Sequence, residues 1–451
     1  MKTPRFNRRS FLGTTLSTTA LATGTALWGG LRTAQAADRP AVVDPRATSG
    51  DVKHQPAWDE MLTITVGQKT GDLTGKTDKA IQAAVDYVSR LGGGTVNVLP
   101  GEYRFDNGIQ MSSQVRLTGS GSETIFKKNN VKQTELTEDS DWFDQEVTFK
   151  PGHGFNVGDG VCLITKNTDN GTQTVLTRTL VARSGDRFKL DRALRNNYWK
   201  IGQAHAKSLF SLIQCDQIHD IEISNLVLDG NRENNPNLNG NYGGNIFAQD
   251  CHQMLFQNVE SRNYNGDGFS WQICHDVTVE NCHSHHNADL GLHPGSGSQR
   301  PIIRNCKLDE NNIGIFFCWG VKFGLAEENE INACRQSGIS VGHRDTHNLI
   351  TKNKIRNCGE YGILFRPERG EGFTGDHNRV EENELLNNGA KQALGIDIQG
   401  MTANLNIVNN QLKETRSTAG SVGIQVGAET SAIQLDANTF TGFATDVKRL
   451  A

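Results

Sequence analysis

A repeat of about 24 residues constrains this chain more than any other feature of its sequence. From about residue 206 onward an Asn followed by a mostly short or apolar pair recurs at Asn225, Asn258, Asn281, Asn305, Asn329, Asn353, Asn383, Asn410 and Asn438. A Gly followed by an alternating pattern recurs in phase at Gly268, Gly291, Gly314, Gly338, Gly362, Gly395 and Gly423. The period is too short for a pair of helices and the segments alternate with period two, so each unit is predicted to form one coil of a β-solenoid. The Asn column is then an internal amide ladder, in which each side chain bonds to that of the next coil.

The same register predicts which side chains are buried. Odd positions after each Gly are apolar and are expected inside: Phe269, Leu292, Ile315, Ile339, Ile363 and Ile396. Even positions are expected to face solvent in two columns: Ser270, His293, Phe316, Ser340, Leu364 and Asp397, then Gln272, Gly295, Cys318, Gly342, Arg366 and Gln399. Adjacent coils lie about 4.8 Å apart, so side chains one repeat apart are neighbours. Gly342 then lies beside Arg366, where its missing side chain would leave room for a ligand.

Residues 338–345 differ from the rest of the repeat because they place an imidazole, a guanidinium and a carboxylate side by side. An exposed aromatic ring can stack on a pyranose, and His, Arg and Asp can bind its carboxylate and hydroxyl groups. We therefore predict a site across four coils, centred on His343. The candidate catalytic residues are His343, Arg344, Arg366 and His293, and the candidate substrate-binding residues are Trp319, Asp345, Asp397, Gln399 and Gln272. No metal ligands are assigned.

Some members of this set also have a structural interpretation. Arg344 aligns with Glu368 of the next coil and Asp345 aligns with Arg369, so both could form cross-coil ion pairs. Such exposed pairs contribute under about 1 kcal/mol each. His343 has no ionic partner among its column neighbours, which favours a functional role for its side chain.

The first 36 residues have the three parts of an export signal. Paired arginines at Arg8 and Arg9 precede an apolar run, and Ala34, Gln35 and Ala36 provide a small-residue cleavage site. The arginine pair with Phe11 and Leu12 resembles the twin-arginine pathway signal, which implies a periplasmic or secreted bacterial protein. An ordinary secretory signal is the alternative and leads to the same side of the membrane. No later run reaches the roughly 18 apolar residues of a membrane helix, so no membrane anchor is expected after cleavage.

Net charge restricts the possible partners. The chain carries 46 Lys and Arg and 50 Asp and Glu, a formal charge of −4. Residues 1–36 contain five basic and no acidic side chains, so cleavage leaves a charge of −9. This argues against nucleic acid as a partner, because phosphate binding needs a basic field. An anionic polysaccharide would need a local basic patch. We expect a monomer.

The nine cysteines follow the repeat instead of forming a disulfide framework. Cys282 and Cys306 are 24 residues apart, as are Cys334 and Cys358. We therefore interpret them as buried thiols that stack from coil to coil like small hydrophobic residues.

The chain before the repeat divides into three parts after the signal. Residues 37–70 are assigned to an N-terminal extension, and residues 71–128 to a capping helix with the first coils. The helix should begin at Thr77 or Asp78 and end at the three glycines from Gly92, with Ile81, Ala84, Val85, Val88 and Leu91 on one face. Residues 129–205 break the repeat and are predicted to form a small inserted β subdomain, and residues 206–447 form the parallel β-helix.

Four segments, residues 77–84, 92–96, 99–103 and 115–121, resemble the opening coils of the pectate-lyase-like superfamily. The resemblance implies an all-β, right-handed parallel β-helix. It leaves the chemistry open, because that superfamily includes lyases, glycoside hydrolases, epimerases and phage tailspikes. Its members often use calcium, so Ca²⁺ is a possible cofactor, although no carboxylate cluster in this sequence is convincing enough to assign a site.

The candidate residues favour a polysaccharide lyase, or a related C5-epimerase, that acts on a uronic-acid-containing polymer. Both reactions remove a proton α to a carboxylate, which requires a base and a group that neutralises the carboxylate. His343 would be the base and Arg344 or Arg366 the neutralising group, with His293 or Tyr361 as a possible acid.

Two alternatives remain. A glycoside hydrolase needs two carboxylates about 5 Å or about 6.5–9.5 Å apart. Asp345 and Asp397 are two coils apart, near 10 Å, and Asp267 and Asp289 each precede a Gly, where Asx-turn chemistry explains them. A non-catalytic carbohydrate-binding solenoid is the other alternative, and an exposed Trp319 with Gln272 and Gln399 would suit it.

Overall fold

The structure is a computed structural model that describes residues 57–168 and 170–451. The expected export signal at residues 1–36 lies outside this range. None of the helices in the described ranges is long and apolar enough to cross a membrane. Short 3₁₀ turns occur at Trp58–Glu60, Gly121–Glu123, Lys200–Gly202 and Arg232–Asn234.

The N-terminal part contains seven strands and a capping helix. They are β1 (Thr63–Gly67), β2 (Leu73–Thr74), α1 (Asp78–Arg90), β3 (Gly94–Val98), β4 (Gly101–Phe105), β5 (Ile109–Gln110), β6 (Val115–Thr118) and β7 (Thr124–Lys128). Helix α1 buries Ile81, Ala84, Val85 and Val88, whereas Leu91 lies just beyond its end and is exposed. Strand β1 pairs in parallel with β3. The first coil therefore already begins at Thr63, inside the stretch assigned to an extension.

The region that interrupts the repeat forms a separate six-stranded antiparallel sheet. Its strands are β8 (Gln133–Glu135), β9 (Glu146–Thr148), β10 (Gly160–Lys166), β11 (Gln173–Ser184), β12 (Arg187–Leu190) and β13 (His205–Lys207). Phe149, Phe155, Phe188 and Tyr198 pack in a core of its own. Strand β10 also carries Cys162, which packs against Leu238 of the solenoid.

The remaining strands build the solenoid. They are β14 (Ile213–Asp216), β15 (His219–Asp229), β16 (Gly244–Gln249), β17 (His252–Arg262), β18 (Asp267–Gln272), β19 (His275–Glu280), β20 (His283–His285), β21 (Leu290–Gly295), β22 (Ile302–Arg304), β23 (Lys307–Asp309), β24 (Ile313–Phe316), β25 (Leu325–Glu327), β26 (Glu330–Asn332), β27 (Ser337–Val341), β28 (Leu349–Thr351), β29 (Lys354–Arg356), β30 (Tyr361–Phe365), β31 (Arg379–Glu381), β32 (Glu384–Leu386), β33 (Leu394–Ile398), β34 (Ala403–Val408), β35 (Gln411–Lys413), β36 (Val422–Val426), β37 (Ser431–Asp436), β38 (Thr439–Thr441) and β39 (Thr445–Arg449).

Each regular coil contributes one strand to an 11-stranded sheet and two strands to a 22-stranded sheet, and the solenoid ladders are parallel. In one coil, for example, β18 is followed by β19 and β20 before β21 returns to pair with β18. Phe269 pairs with Leu292 and the column continues through Ile315, Ile339, Ile363 and Ile396, all fully buried. The predicted parallel β-helix and its inward column are therefore confirmed.

The amide ladder exists, but its register differs from the prediction in the first coils. Asn329 Nδ2 donates to Asn353 Oδ1 at 2.9 Å, and the same contact repeats through Asn383 and Asn410 to Asn438. Asn305, in contrast, is exposed with φ +53°, and Cys306 occupies the buried position, where its N–H donates to Asn329 Oδ1. The column position before Asn329 is therefore Cys306, 23 residues earlier, and not Asn305, 24 residues earlier. Asn tolerates the left-handed turn conformation, which explains why it recurs at both positions.

The cysteine prediction is confirmed. All nine cysteines are free thiols, and eight of them are buried, with Cys318 partly exposed. Cys282 and Cys306 lie in the same internal column as the amide ladder, which continues with Asn329. A thiol fills the column where an amide is absent, because its size fits and it needs few hydrogen bonds.

Candidate functional site

A cleft of about 270 Å³ lies on the outer face of the 11-stranded sheet. Its floor follows one column of that sheet through four successive coils. The lining residues are Asn239, Gly240, Asn241, Asp289, Leu290, His293, Asn312, Ile313, Phe316, Cys318, Gln336, Ser340, Leu364 and Arg366. Two members of the predicted catalytic set, His293 and Arg366, therefore meet in one cavity.

The segment between β15 and β16 forms one wall of the cleft. The backbone of Gly240 packs directly on Asp267, so that a Cβ atom at this glycine would lie 1.9 Å from Asp267 Oδ2. The Gly240 carbonyl also accepts a hydrogen bond from Ser270 Oγ at 3.0 Å. This wall leaves Asp267 with no exposed surface.

Asp267 and His293 form a buried hydrogen-bonded pair. Asp267 Oδ2 lies 2.8 Å from His293 Nδ1, and Asp267 Oδ1 accepts from the Leu290 N–H at 3.1 Å. Ser270 Oγ lies 3.4 Å from the same imidazole nitrogen. With Nδ1 donating to the carboxylate, Nε2 is the nitrogen with a free lone pair. Burial raises the pKa of Asp267, and the hydrogen bond with His293 partly opposes this rise.

Arg366 is held by a socket of protein atoms. Its Nη1 donates to Ser340 Oγ at 2.8 Å, and its Nη2 donates to the Phe317 carbonyl at 3.0 Å. The guanidinium carbon lies 4.4 Å from the centroid of the Phe316 ring, a cation–π distance. Arg366 is therefore a fixed positive charge in the cleft, and the Phe316 ring that it contacts also lies 5.5 Å from the His293 ring.

Asp345 is a buried ionic partner of Arg366 and is not accessible to a ligand. It has no exposed surface, accepts backbone hydrogen bonds from Gly320, Val321 and Gly342 at 2.9 Å each, and lies 3.3 Å from Arg366 Nη2. Burial raises its pKa, and Arg366 opposes that shift. A direct contact between Asp345 and a substrate is not available in this geometry.

The space beside Gly342 is filled, contrary to the expectation of room for a ligand. A Cβ atom at Gly342 would lie 2.3 Å from Arg366 Nη2 and 2.3 Å from Glu368 Oε1. Glycine is required here so that the guanidinium can approach the backbone closely.

His343 lies outside the cleft-lining set. Its ring stacks on Trp319 with centroids 4.5 Å apart and contacts Phe373 at 5.3 Å, and only 6% of the residue is exposed. Its Nδ1 lies 3.4 Å from Glu368 Oε2, so it does have an acidic neighbour, although the geometry is not that of a hydrogen bond. Trp319 itself is 51% exposed. The structure thus gives His343 the position of a support for an exposed tryptophan.

The two expected cross-coil ion pairs are absent among the described contacts. Arg344 Nε donates to the Gly372 carbonyl at 3.2 Å, and its guanidinium carbon lies 4.1 Å from the Phe373 ring centroid. Glu368 instead lies 3.4 Å from Arg366 Nε. Arg369 extends over Trp319, 5.3 Å from its ring centroid. Glu368 therefore lies next to Arg366 of its own turn and His343 of the preceding coil instead of Arg344.

The other predicted residues lie apart from the cleft lining. Asp397 is buried and accepts hydrogen bonds from Gln399 Nε2 at 2.5 Å and Gln425 Nε2 at 3.1 Å. Gln399 remains partly exposed. Gln272 is buried and donates to Ser270 Oγ at 3.1 Å, while its amide packs on Gly295.

Even positions of the repeat are less exposed than the alternation predicts. His293, Ser340 and Asp397 are all nearly buried, because loops and long side chains cover this face of the sheet. Asp267, which the sequence predicts to be an Asx-turn residue, instead bonds to His293 and to the Leu290 N–H. Leu290 lies one residue before the repeat Gly291 and His293 lies two residues after it, yet both line the cleft. The inward–outward alternation of side chains therefore does not continue through the Gly to the residue before it. The sequence signal for this pair is Asp267, three residues before the outward Ser270, with His293 beside Ser270 in the next coil.

No group of three or more His, Cys, Asp or Glu side chains within residues 57–168 and 170–451 is arranged to hold a metal ion.

Comparison with protein families identifies the architecture. The family model described as "Right handed beta helix region" matches residues 211–366 and 327–440. The match agrees with the predicted handedness of the solenoid. A search of curated protein sequences found no match to this chain.

A search of solved structures found several that are similar to this chain. The A-module of mannuronan C-5 epimerase AlgE6 from Azotobacter vinelandii is 16% identical, with 82% of this chain and 91% of that chain covered and a TM-score of 0.54. The A-module of mannuronan C-5 epimerase AlgE4 from the same organism is 14% identical, with 86% and 99% covered and a TM-score of 0.46. The family 28 exopolygalacturonase of Yersinia enterocolitica is 13% identical, with 82% and 74% covered and a TM-score of 0.47. The likeness to the AlgE6 A-module, at 16% identity, concerns the fold alone.

Proposed function

The chain belongs to the right-handed β-helix family, and on that scaffold we propose an enzyme that removes the C5 proton from a uronic acid residue of a polysaccharide. The reaction ends as a lyase when the C4–O4 bond breaks, a C4=C5 double bond forms and the leaving oxygen takes a proton from solvent. It ends as a C5-epimerase when a solvent-derived proton returns to C5 from the opposite face. The second of these is the activity named for the AlgE6 A-module, whose fold this chain shares. The sequence of residues 1–36 supports an exported location for such an enzyme.

One observation carries the proposal: an Asp-bound imidazole and a fixed guanidinium meet in the same cleft. A proton α to a carboxylate is removed only when a base is in reach and the developing negative charge is stabilised. His293 Nε2 is the base, because Asp267 occupies the other ring nitrogen. Arg366 is the cation that stabilises the charge as it develops on the substrate carboxylate. This reverses the sequence-based assignment, in which His343 was the base.

Trp319 directly follows Cys318, which lines the cleft, and offers a stacking surface beside it. Its ring is half exposed, and His343 supports it from within the protein. Pyranose rings pack their C–H faces on such exposed aromatic side chains, so we assign Trp319 to substrate binding and His343 to its support.

Hydrolysis is less well supported by the same geometry. Two carboxylates must face the glycosidic bond in a hydrolase. Of the described residues that line the cleft, Asp289 alone carries a carboxylate, and it accepts a hydrogen bond from Asn312 Nδ2 at 3.2 Å. Asp267 and Asp345 are close by but have no exposed surface.

The experiment is to incubate the purified protein with a panel of uronate polymers and to follow three products in parallel. An ultraviolet-absorbing unsaturated sugar identifies a lyase, and a changed C5 configuration without cleavage identifies an epimerase. New reducing ends without absorbance would reject the proposal in favour of hydrolysis. His293→Gln serves as the inactive control, and its thermal unfolding should match that of the wild type within a few degrees.

A further inference from the structure

A second cavity, of about 490 Å³, lies on the inserted β subdomain and not on the solenoid. Its lining residues are Gln133, Thr134, Glu135, Lys150, Pro151, Gly152, His153, His205 and Lys207. The neighbouring strands β8 and β13 form one side, with His205 opposite Glu135 and Lys207 opposite Gln133. Directly opposed side chains project to the same face, so these four groups point together toward the cavity.

The ionisable groups around this cavity give it a positive balance. Lys150 lies 3.3 Å from Glu135, but both side chains are mostly exposed, so their attraction is weak. His205 Nδ1 lies 2.9 Å from the Gln203 carbonyl, which leaves Nε2 for a ligand. Both ring nitrogens of His153 already have protein neighbours, since Nδ1 accepts from the Phe155 N–H and Nε2 lies 3.4 Å from Asp186 Oδ1. Two lysines and one available imidazole thus face a single surface carboxylate, Glu135.

The positive charge around this cavity contrasts with the negative charge of the rest of the chain. Residues 133–207 contain ten basic and ten acidic side chains, so the subdomain is neutral, whereas the chain after signal removal carries a charge of −9. In the catalytic cleft, Arg366 already has Asp345 and Glu368 as neighbours. An anionic polymer approaching the solenoid would meet a repulsive field, and a local basic site reduces that cost.

We propose that this cavity, lined by Lys150, His205 and Lys207, is an auxiliary binding site for a carboxylated sugar unit of an anionic polysaccharide. It anchors a stretch of the polymer on the subdomain, separate from the stretch that reacts at His293. The proposal rests on the proposed function for the identity of the polymer, but not for the existence of the site. Lysine ammonium groups bind the carboxylate as point charges, and Gln133 supplies polar groups for hydroxyls.

The test measures binding of a hexasaccharide of uronic acid to the full protein by calorimetry. His293→Gln is the background, so that turnover does not interfere. Replacing both Lys150 and Lys207 by Gln should weaken binding at least five-fold at low salt and flatten its dependence on salt concentration. Lys166→Gln, an exposed lysine of the same subdomain outside the cavity, is the matched control and should bind as the background does. A neutral hexasaccharide should show no difference among the variants.

Two outcomes overturn the inference: unchanged affinity in the double variant, or an equal loss in the Lys166→Gln control. Either result leaves the proposed function intact, because turnover on the polymer is measured separately with an active His293. Conversely, the double variant could lose binding while the active protein turns over none of the uronate polymers. That combination would support the auxiliary site and reject the proposed reaction. Thermal unfolding of each variant shows whether the subdomain remains folded.

Discussion

His293 Nδ1 lies 2.8 Å from Asp267 Oδ2, in a pair whose side chains are 4% and 0% exposed. The carboxylate lies behind the imidazole and is sealed from solvent by the backbone of Gly240. This arrangement fixes the ring orientation and leaves Nε2 as the nitrogen not bound to the carboxylate, in a residue that lines the cleft. In the proposed reaction, a carboxylate without exposed surface would act through the histidine and not by contact with substrate.

Removing either member of this pair should remove the reaction. His293→Gln eliminates the base, and we expect kcat to fall by about 10²–10⁴-fold, the usual contribution of general base catalysis. Asp267→Asn should lower kcat with little change in KM, because the imidazole loses its fixed orientation. Steady-state kinetics on the preferred polymer checks both. His377→Gln, a stacked turn histidine outside the cleft, is the control and should retain full activity.

The socket of Arg366 can be tested without changing any charge. Gly342→Ala introduces a Cβ atom that would lie 2.3 Å from Arg366 Nη2, so the guanidinium has to move. We expect at least a ten-fold loss of kcat/KM, with the protein still folded in a thermal scan. Full activity in Gly342→Ala would show that the position of Arg366 is not important for the reaction.

His343 and Trp319 should affect binding more than chemistry. His343→Ala removes the ring that supports Trp319, and aromatic pairs of this kind contribute about 0.5–1.5 kcal/mol. We therefore expect a raised KM and a lowered melting temperature, with kcat close to that of the wild type. A loss of kcat as large as that of His293→Gln would return the role of base to His343.

Lys128 makes the stability of the fold depend on pH. Its side chain is fully buried, its Nζ lies 4.8 Å and 5.5 Å from the ring centroids of Phe210 and Tyr264, and it has no hydrogen-bond partner among the described atoms. Burial lowers the pKa of Lys128 from 10.5 to about 7. Between these values the unfolded chain binds the proton and the folded chain does not, so this group makes stability rise with pH, by about 1.4 kcal/mol per pH unit at most.

Lys128→Met should therefore stabilise the protein most at and below pH 7, and its advantage over the wild type should shrink toward pH 10. Chemical denaturation of both proteins across this range measures the difference. A constant difference across the range would mean that the ammonium group is not held neutral in the folded state.

The internal ladder offers a matched pair of asparagines. Asn353→Ala removes the Oδ1 atom that accepts from the backbone N–H and the Nδ2 of Asn329, and an unsatisfied buried polar group costs about 1–3 kcal/mol. Asn305→Gly changes an exposed residue at φ +53°, where glycine is well tolerated, and should be nearly neutral. Comparing the free energies of unfolding of the two variants tests the corrected register directly.

Much of the fold follows from the period of the sequence. The inward column from Phe269 to Ile396 could be predicted because a parallel stack repeats the same environment in every coil. The ladder register could not be predicted at Asn305, because asparagine suits both the buried column and the adjacent left-handed turn. The sequence distances of 24 residues do not distinguish the two positions.

The candidate site was only partly predictable for a related reason. His293 and Arg366 followed from the outward columns, but the pairing of Asp267 with His293 depends on the backbone geometry at Gly268, where the strict alternation ends. Glu368 and Phe373 belong to a turn of irregular length, so their contacts with His343 have no equivalent in other coils. Contacts that repeat can be predicted from spacing, whereas contacts made by a single loop cannot.

The central claim is that this protein removes the C5 proton of a uronic acid residue, and proton NMR of the polymer in D₂O tests it most directly. The account predicts that the H5 resonance disappears with the wild-type protein, either through deuterium exchange or through formation of a double bond, and persists with His293→Gln. Cleavage of the polymer with the H5 resonance fully retained in the products would contradict it.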